Sequence, residues 1–379
     1  MKLICLGPIP PPYTGQSICF KILIDGLKKN NTEFKIVNIS SKFKKNNSHY
    51  VRFYRIIDYF FILFNFCRKL IFNKSGVVYL QISQSRQGFY RDFFIIWFAK
   101  LFNDRIVAHL HGGNYDGFYY SQSRWMQKII KFTLRKVDKI VILSERLRYM
   151  FDFDGTLKNN IFVIQNCLPS NQREIFKKGK EIKLNEPIRI LFLSNLIESK
   201  GYFDLLKAVN ILVKEYHKNV TCKFCGEFLS NIDDLKIKSA KDGKEKFEDY
   251  IEKNKLKKYV KYDGVVSGQK KEQILKWAHF FVLPTIYIYE GQPLSIIEAI
   301  ANGCVIISTE YRAIPDMVKH NKNGILIKYG RPEEIALTIN NISENPDKYK
   351  LMSLSSIQLY EKYFTEDVYL KKMIQLISS

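Results

Sequence analysis

The chain has 379 residues, 46% of them apolar and 26% charged, an ordinary globular composition with enough material for two hydrophobic cores. Lys and Arg total 60 against 37 Asp and Glu, and the formal net charge of +23 asks for an anionic partner: nucleic acid, an acidic membrane surface or a negatively charged small substrate. No zinc-finger spacing, helix-turn-helix or RNA-reading aromatic strand is present, which sets nucleic acid aside, and seven scattered cysteines suit reduced thiols rather than a disulfide framework.

In chain order, Leu3 to Leu6 reads as a strand stopped by Gly7 and a run of prolines, with Gly15 in the turn that follows. No cleavage region accompanies this run, so it is expected to be a strand and not a secretory signal, with the protein in the cytoplasm. Aromatic-rich helices are predicted over 50–72 and 89–102. Within the first, Arg52 to Lys69 interleaves aromatic and basic residues. Its uninterrupted apolar part is too short to span a bilayer. It suits either a core helix covered all round or an interfacial helix against anionic lipid heads, and the two readings can hold for different faces. His109 and His111 follow on one strand face, where a metal would need a carboxylate to join them, so a metal-free site is expected.

The apolar rhythm lapses between Pro169 and Pro187, the best place for a domain boundary. A strand restarts at Ile188, followed by a helix over 205–215, a strand over 221–225, a helix over 244–254 and a strand over 260–262. Cys222 and Cys225 form a C-x-x-C pair without a second pair, which reads as a strand interior. Strands at 279–285 and 304–308 flank a short helix, and 346–377 reads as helical with a break near Phe364-Thr365. Such alternation predicts an α/β fold of parallel sheets sandwiched by helices.

The segment from Tyr289 to Gly303 carries the most chemistry. Glu290 and Glu298 flank a turn, Gly291-Gln292-Pro293-Leu294, that opens an apolar helix. Free N–H groups at a helix start form an anion site, so this turn suits a diphosphate without a metal. Eight helical steps would separate the two carboxylates by roughly 12 Å. They would then reach opposite ends of one ligand, Glu290 toward a sugar and Glu298 toward a ribose diol, a layout that suits a nucleotide sugar.

With further segments matching in order, the chain resembles a glycosyltransferase of family four, a group of retaining enzymes with the two-domain GT-B fold. Leu3 to Ser17 resembles the family's first strand and glycine loop, with Gly15 allowing close approach of donor phosphate or acceptor. Ala108 to Gly113 resembles the segment that sets a histidine, here His111, beside the transferred sugar. Ile190 to Gly201 resembles the segment whose two cations hold the diphosphate. Lys200 matches one of them, while Asn195 stands where the family has arginine and can still donate a hydrogen bond.

The resemblance implies two Rossmann-like β/α/β domains facing a central cleft: an acceptor domain over 1–172, a nucleotide-sugar domain over 173–358, and a helix over 359–379 returning to the first. It implies a catalytic set of Glu290, His111 and Lys200, and donor contacts from Gly15, Asn195, Lys200, Gly291, Gln292, Pro293, Leu294 and Glu298. The nucleoside diphosphate sugar is then a co-substrate, with no metal or other cofactor. The acceptor is a glycan or lipid-linked saccharide of the kind built in O-antigen, capsule or exopolysaccharide synthesis, met at the inner face of the cell membrane. A nucleotide-sugar epimerase of similar architecture and a non-catalytic nucleotide-sugar-binding protein are the rival readings.

Overall fold

The computed structural model describes residues 2–11, 13–40, 49–73, 76–170 and 178–379, with the side chains of 49–56 and 73 left out. The chain forms two compact units, one of Met1–Pro169 with Glu366–Ser379 and one of Ser170–Thr365. Each is a six-stranded parallel sheet with helices, and the two sheets share no strand. The expected linker residues Asn171 to Arg173 and Lys177 lie outside the described residues.

In the first unit the strands are β1 (Leu3–Gly7), β2 (Phe34–Asn38), β3 (Val77–Gln81), β4 (Arg105–His109), β5 (Lys139–Ile142) and β6 (Ile161–Val163), in the spatial order β2-β1-β3-β4-β5-β6. The interior strands are continuous apolar runs, buried on both faces as parallel strands must be, whereas the edge strand β2 is largely half-buried or exposed. The step from β1 to β2 goes one way across the sheet and the steps from β2 onward go the other. Because crossovers are right-handed, the helix Gly15–Lys29 lies on one face of the sheet. The helices His49–Asn73, Arg86–Leu101 and Arg124–Leu134 lie on the opposite face. Contacts agree: Gly15–Lys29 meets Glu366–Ser378, and Arg86–Leu101 meets both of its neighbours.

The helix His49–Asn73 is not covered all round. It buries Ile62, Phe66 and Leu70 against the sheet and leaves Phe60, Phe61 and Phe64 exposed, so the core reading holds for one face only. The side chains of Arg52 to Ile56 lie outside the described residues.

The second unit contains β7 (Ile188–Leu193), β8 (Val220–Cys225), β9 (Val260–Gly264), β10 (Phe280–Leu283), β11 (Val305–Thr309) and β12 (Gly324–Ile327), ordered β12-β11-β10-β7-β8-β9. Cys222 and Cys225 sit inside β8, both buried, as a strand interior requires. The helix Pro346–Tyr363 ends at Phe364, and Glu366–Ser378 continues in the first unit. The return therefore comes at Glu366 and not at residue 359, because nothing interrupts the helix before Tyr363.

A polar clamp closes the amino ends of β7 and β10. Arg189 Nε donates to His279 Nε2 at 3.1 Å, and buried Lys180 Nζ donates to the Leu275 and Ala278 carbonyls at 2.7 and 2.5 Å, satisfying the end of the helix Gly268–Trp277. Burial, with the Arg189 and Lys180 charges, pushes the His279 imidazole down to about 3. Below an ordinary value near 6.5 the unfolded chain takes up a proton that the folded chain refuses. The stability this group contributes is therefore complete above that value and is lost as pH falls toward about 3. The slope should be about 1.4 kcal/mol per pH unit between roughly pH 6 and 4. Urea unfolding across that range should become shallower in pH by this amount in His279→Gln; equal slopes would mean that His279 is not held neutral.

Candidate active site

In the second unit, strands β8 and β9 extend to one side of β7, while β10, β11 and β12 extend to the other. The crevice beyond the carboxyl ends of β7 and β10 is thus the point where strand order reverses, the place where ligands bind in open α/β sheets. The turn after β7 and the loop after β10 meet there. Ile286 N donates to Ser199 O at 2.8 Å, Tyr287 N to Thr285 Oγ1 at 3.0 Å, and Glu290 N to Tyr287 O at 2.9 Å. Gly201 makes this approach possible. It has a left-handed φ of 75°, and a Cβ there would lie 2.4 Å from the Pro284 carbonyl oxygen.

These contacts bring Lys200 and Glu290 together across 90 residues of chain: Lys200 Nζ donates to Glu290 Oε2 at 3.0 Å. Lys200 Nζ also stands 4.8 Å from the centre of the Tyr287 ring, and Glu290 is only 8% exposed. Burial, together with the Glu290 charge, pushes the Tyr287 phenol up to about 12. Glu198, close to Lys200 in sequence, is engaged by the fold. Its Oε2 accepts from Lys236 N at 2.6 Å and Ile237 N at 2.9 Å.

Glu290 lies before the helix, which begins at Leu294, so a count of helical steps does not set its distance from Glu298. Gly291, Gln292 and Pro293 are buried in the turn between them. The helix Leu294–Ala301 has no side-chain cap and no acidic residue in its first turn, so neither supplies a partner for its first N–H groups. Glu298 lies one turn on and accepts from Lys271 Nζ at 2.5 Å, a cation the sequence pattern did not single out. Asn195 is exposed on the loop after β7, with its carbonyl accepting from Ile197 N at 3.0 Å.

Gly15 and His111 belong to the first unit, at its own reversal of strand order between β1 and β3. Gly15 opens the helix Gly15–Lys29 behind a capping box made by Thr14 and Ser17. Gln81, at the end of β3, links this helix start to His111: its Nε2 lies 3.4 Å from Gln16 O and 3.0 Å from His111 Nε2. The Gln16 carbonyl can only accept, so the Gln81 nitrogen faces it. That nitrogen therefore donates to a bare His111 Nε2, and the proton of the neutral ring sits on Nδ1.

His109 stacks on His111 with ring centres 4.0 Å apart, and its Nδ1 lies 2.8 Å from the Tyr79 hydroxyl. Burial pushes His111 down to about 4 against the pull of a hydrogen bond with Asn166, and burial beside His111 holds His109 well below its usual range. Both rings are neutral at neutral pH. Tyr79, Gln81 and Tyr287 carry no local signal in sequence, because their partners come from other strands and loops.

Two parallel sheets with this strand order define the GT-B fold. Over 100% of both chains the protein matches the crystal structure of Anabaena HepE in complex with UDP, with a TM-score of 0.72 and 14% identity, a likeness of fold. Residues 172–356 match the family model described as Glycosyl transferases group 1. An uncharacterized glycosyltransferase of Methanocaldococcus jannaschii is 23% identical over 269 residues, covering 67% of this chain and 63% of that protein. The amylovoran biosynthesis glycosyltransferase AmsK of Erwinia amylovora is 24% identical over 201 residues, 51% of this chain and 45% of its own length. The matches thus span about half to two thirds of these relatives.

In the Lys200–Glu290 pair the carboxylate is buried and the lysine half-buried, so removing Lys200 strands a buried charge. Lys200→Met should lower the stability of the second unit by about 3–5 kcal/mol, and Lys200→Met with Glu290→Leu should recover most of that loss. Chemical denaturation of the two variants checks this; additive losses would mean that the pair does not couple.

Proposed function

We propose that the chain is a retaining glycosyltransferase that moves a sugar from a nucleoside diphosphate sugar to a hydroxyl of a glycan or lipid-linked saccharide. The observation that carries this reading is the Lys200–Glu290 pair, set at the strand-order reversal with Glu290 four residues before a helix start that has no side-chain cap. An ammonium and a row of peptide N–H groups suit a diphosphate leaving group, and a carboxylate beside them suits sugar hydroxyls. The similarity to glycosyltransferases, one of them named for amylovoran biosynthesis, supports the reading and favours surface polysaccharide as the product, whether O-antigen, capsule or exopolysaccharide.

In this mechanism the Leu294 helix terminus and Lys200 neutralise the departing diphosphate, the largest protein contribution to the rate. Gly291, Gln292 and Pro293 shape the turn around it, and Asn195 supplies a neutral donor where a second cation would otherwise stand. Glu290 orients sugar hydroxyls, and Glu298, steadied by Lys271, accepts from the ribose diol. The acceptor hydroxyl attacks on the face the leaving group departs from. Its proton goes to the departing phosphate oxygen, so no separate base is needed. His111, held neutral with Gln81 on one nitrogen, contacts the sugar through a hydrogen bond, and Gly15 gives ligand access to the helix start of the first unit. The protein works without a metal, peripherally, at the cytoplasmic side of the cell membrane.

Thermal shift against a panel of UDP-, GDP- and dTDP-sugars identifies the donor, since a ligand at 100 times its dissociation constant adds ~2.7 kcal/mol. With that donor, Glu290→Ala and Lys200→Ala should each depress transfer ~100-fold or more. Glu298→Ala should mainly raise the donor's apparent dissociation constant. Near-normal transfer in folded Lys200 and Glu290 variants would remove their roles. Nucleotide release that proceeds equally well without acceptor would replace the reading by that of an epimerase.

A further inference from the structure

The face of the first sheet covered by the helices His49–Asn73, Arg86–Leu101 and Arg124–Leu134 has an unusual outer surface. On the first helix the buried residues Ile62, Phe66 and Leu70 recur every four positions. The opposite stripe runs Phe60, Phe64, Arg68, Phe72, with the three phenylalanines 69%, 70% and 80% exposed. Beside it a groove of about 380 Å³ is lined by Phe61, Phe64, Asn65 and Arg68. On the second helix Tyr90, Phe94 and Leu101 point outward. On the third the exposed residues are Arg124, Trp125, Lys128 and Phe132, two cations and two rings, while Arg135 just beyond its end is tied to Asp154 at 2.8 Å. Trp97 and Phe132, with ring centres 5.2 Å apart, and Lys136 over both rings join the second helix to the third.

Charge decides what this surface fits. The three helices contain two acidic residues, Asp58 and Asp92, and both are buried; Asp92 is paired with Arg91 at 2.6 Å. The outer face therefore shows aromatic rings and cations with no acidic side chain from these helices. A second copy of the chain would set this cationic stripe against itself across a two-fold contact, which like charges oppose. Rings that enter the acyl boundary while cations meet phosphates are the pattern of an interfacial surface. Among the described residues no helix is long and apolar enough to cross a membrane.

We infer that this three-helix face is the docking surface of the protein for an anionic phospholipid bilayer, with Phe60, Phe64, Phe72, Trp125 and Phe132 entering the interface and Arg68, Arg124 and Lys128 meeting lipid phosphates. The inference deepens the lipid-linked acceptor reading by naming the surface that brings the site to that acceptor. It rests on that reading only for its purpose, since binding to lipid is measured without turnover.

The test uses the full chain and co-sedimentation with vesicles of phosphatidylcholine alone or with a quarter phosphatidylglycerol. Binding to the anionic vesicles should exceed binding to the neutral ones by about tenfold and should weaken between about 0.1 and 0.5 M salt. Two variants separate the contributions: Phe60→Ser/Phe64→Ser/Trp125→Ser and Arg68→Gln/Arg124→Gln/Lys128→Gln. Each should lower anionic-vesicle binding at least tenfold while leaving the donor's thermal shift unchanged. All replaced side chains are exposed or on the outer stripe, so folding is retained, and circular dichroism verifies it. Absence of vesicle binding, retention of binding by the aromatic variant, or a concentration-dependent dimer abolished by the same substitutions would each overturn the inference. Loss of lipid binding with no donor binding in any form would uphold the surface and sink the transferase reading instead.

Discussion

The right-handedness of parallel crossovers governs this protein. A strand that must be reached by a right-handed connection can only extend a sheet outward in the direction its helix allows, so a sheet with helices on both faces has one place where that direction changes. In the second unit the change falls between β7 and β10. The loops leaving those strands have no shared neighbour to fill the gap between them, and Lys200 and Glu290 converge on it from positions 90 residues apart. In the first unit the change falls between β1 and β3, where Gln81 bridges a helix start and His111. Each sheet therefore generates its own polar cluster at an equivalent topological position.

Burial then makes those clusters chemically definite. Lys200 and Glu290 hold each other in the same low-dielectric setting that would penalise either alone. The imidazole of His111 is kept neutral by the same effect, and a single amide nitrogen on Gln81 decides where its proton sits. The cost of placing polar groups inside a sheet's mouth is offset by pairing, which also removes conformational choices that a solvated lysine or histidine would retain.

The framework was legible in sequence because it is written locally. Continuous apolar runs such as Val305 to Ser308 report buried parallel strands, and the C-terminal break at Phe364-Thr365 appears where the structure ends one helix and begins the next. The turn before Leu294 announced an open helix terminus through its Gly and Pro. Partnerships had no such signature. Lys271 reaches Glu298 from a different helix, Tyr287 stands against Lys200 by a loop closure, and the Tyr79, Gln81 and His109 cluster assembles only when β3 and β4 pair. The helix over 49–73 was ambiguous for the opposite reason: its residues are apolar on both faces, and only the position of the sheet tells which face is covered.

The last helix, Glu366–Ser378, supplies Tyr369, Leu370, Met373, Leu376 and Ile377 to the same hydrophobic cluster as β1 and the helix Gly15–Lys29. A Cβ on Gly26 would lie 2.3 Å from Leu370, so the two helices interlock without slack. Ribosomal synthesis delivers these five side chains only after the whole of Ser170–Thr365 has emerged. Of the two units, the one that begins first along the chain is thus the one whose interior is sealed last, and until that moment the apolar flank of Gly15–Lys29 lacks its cover.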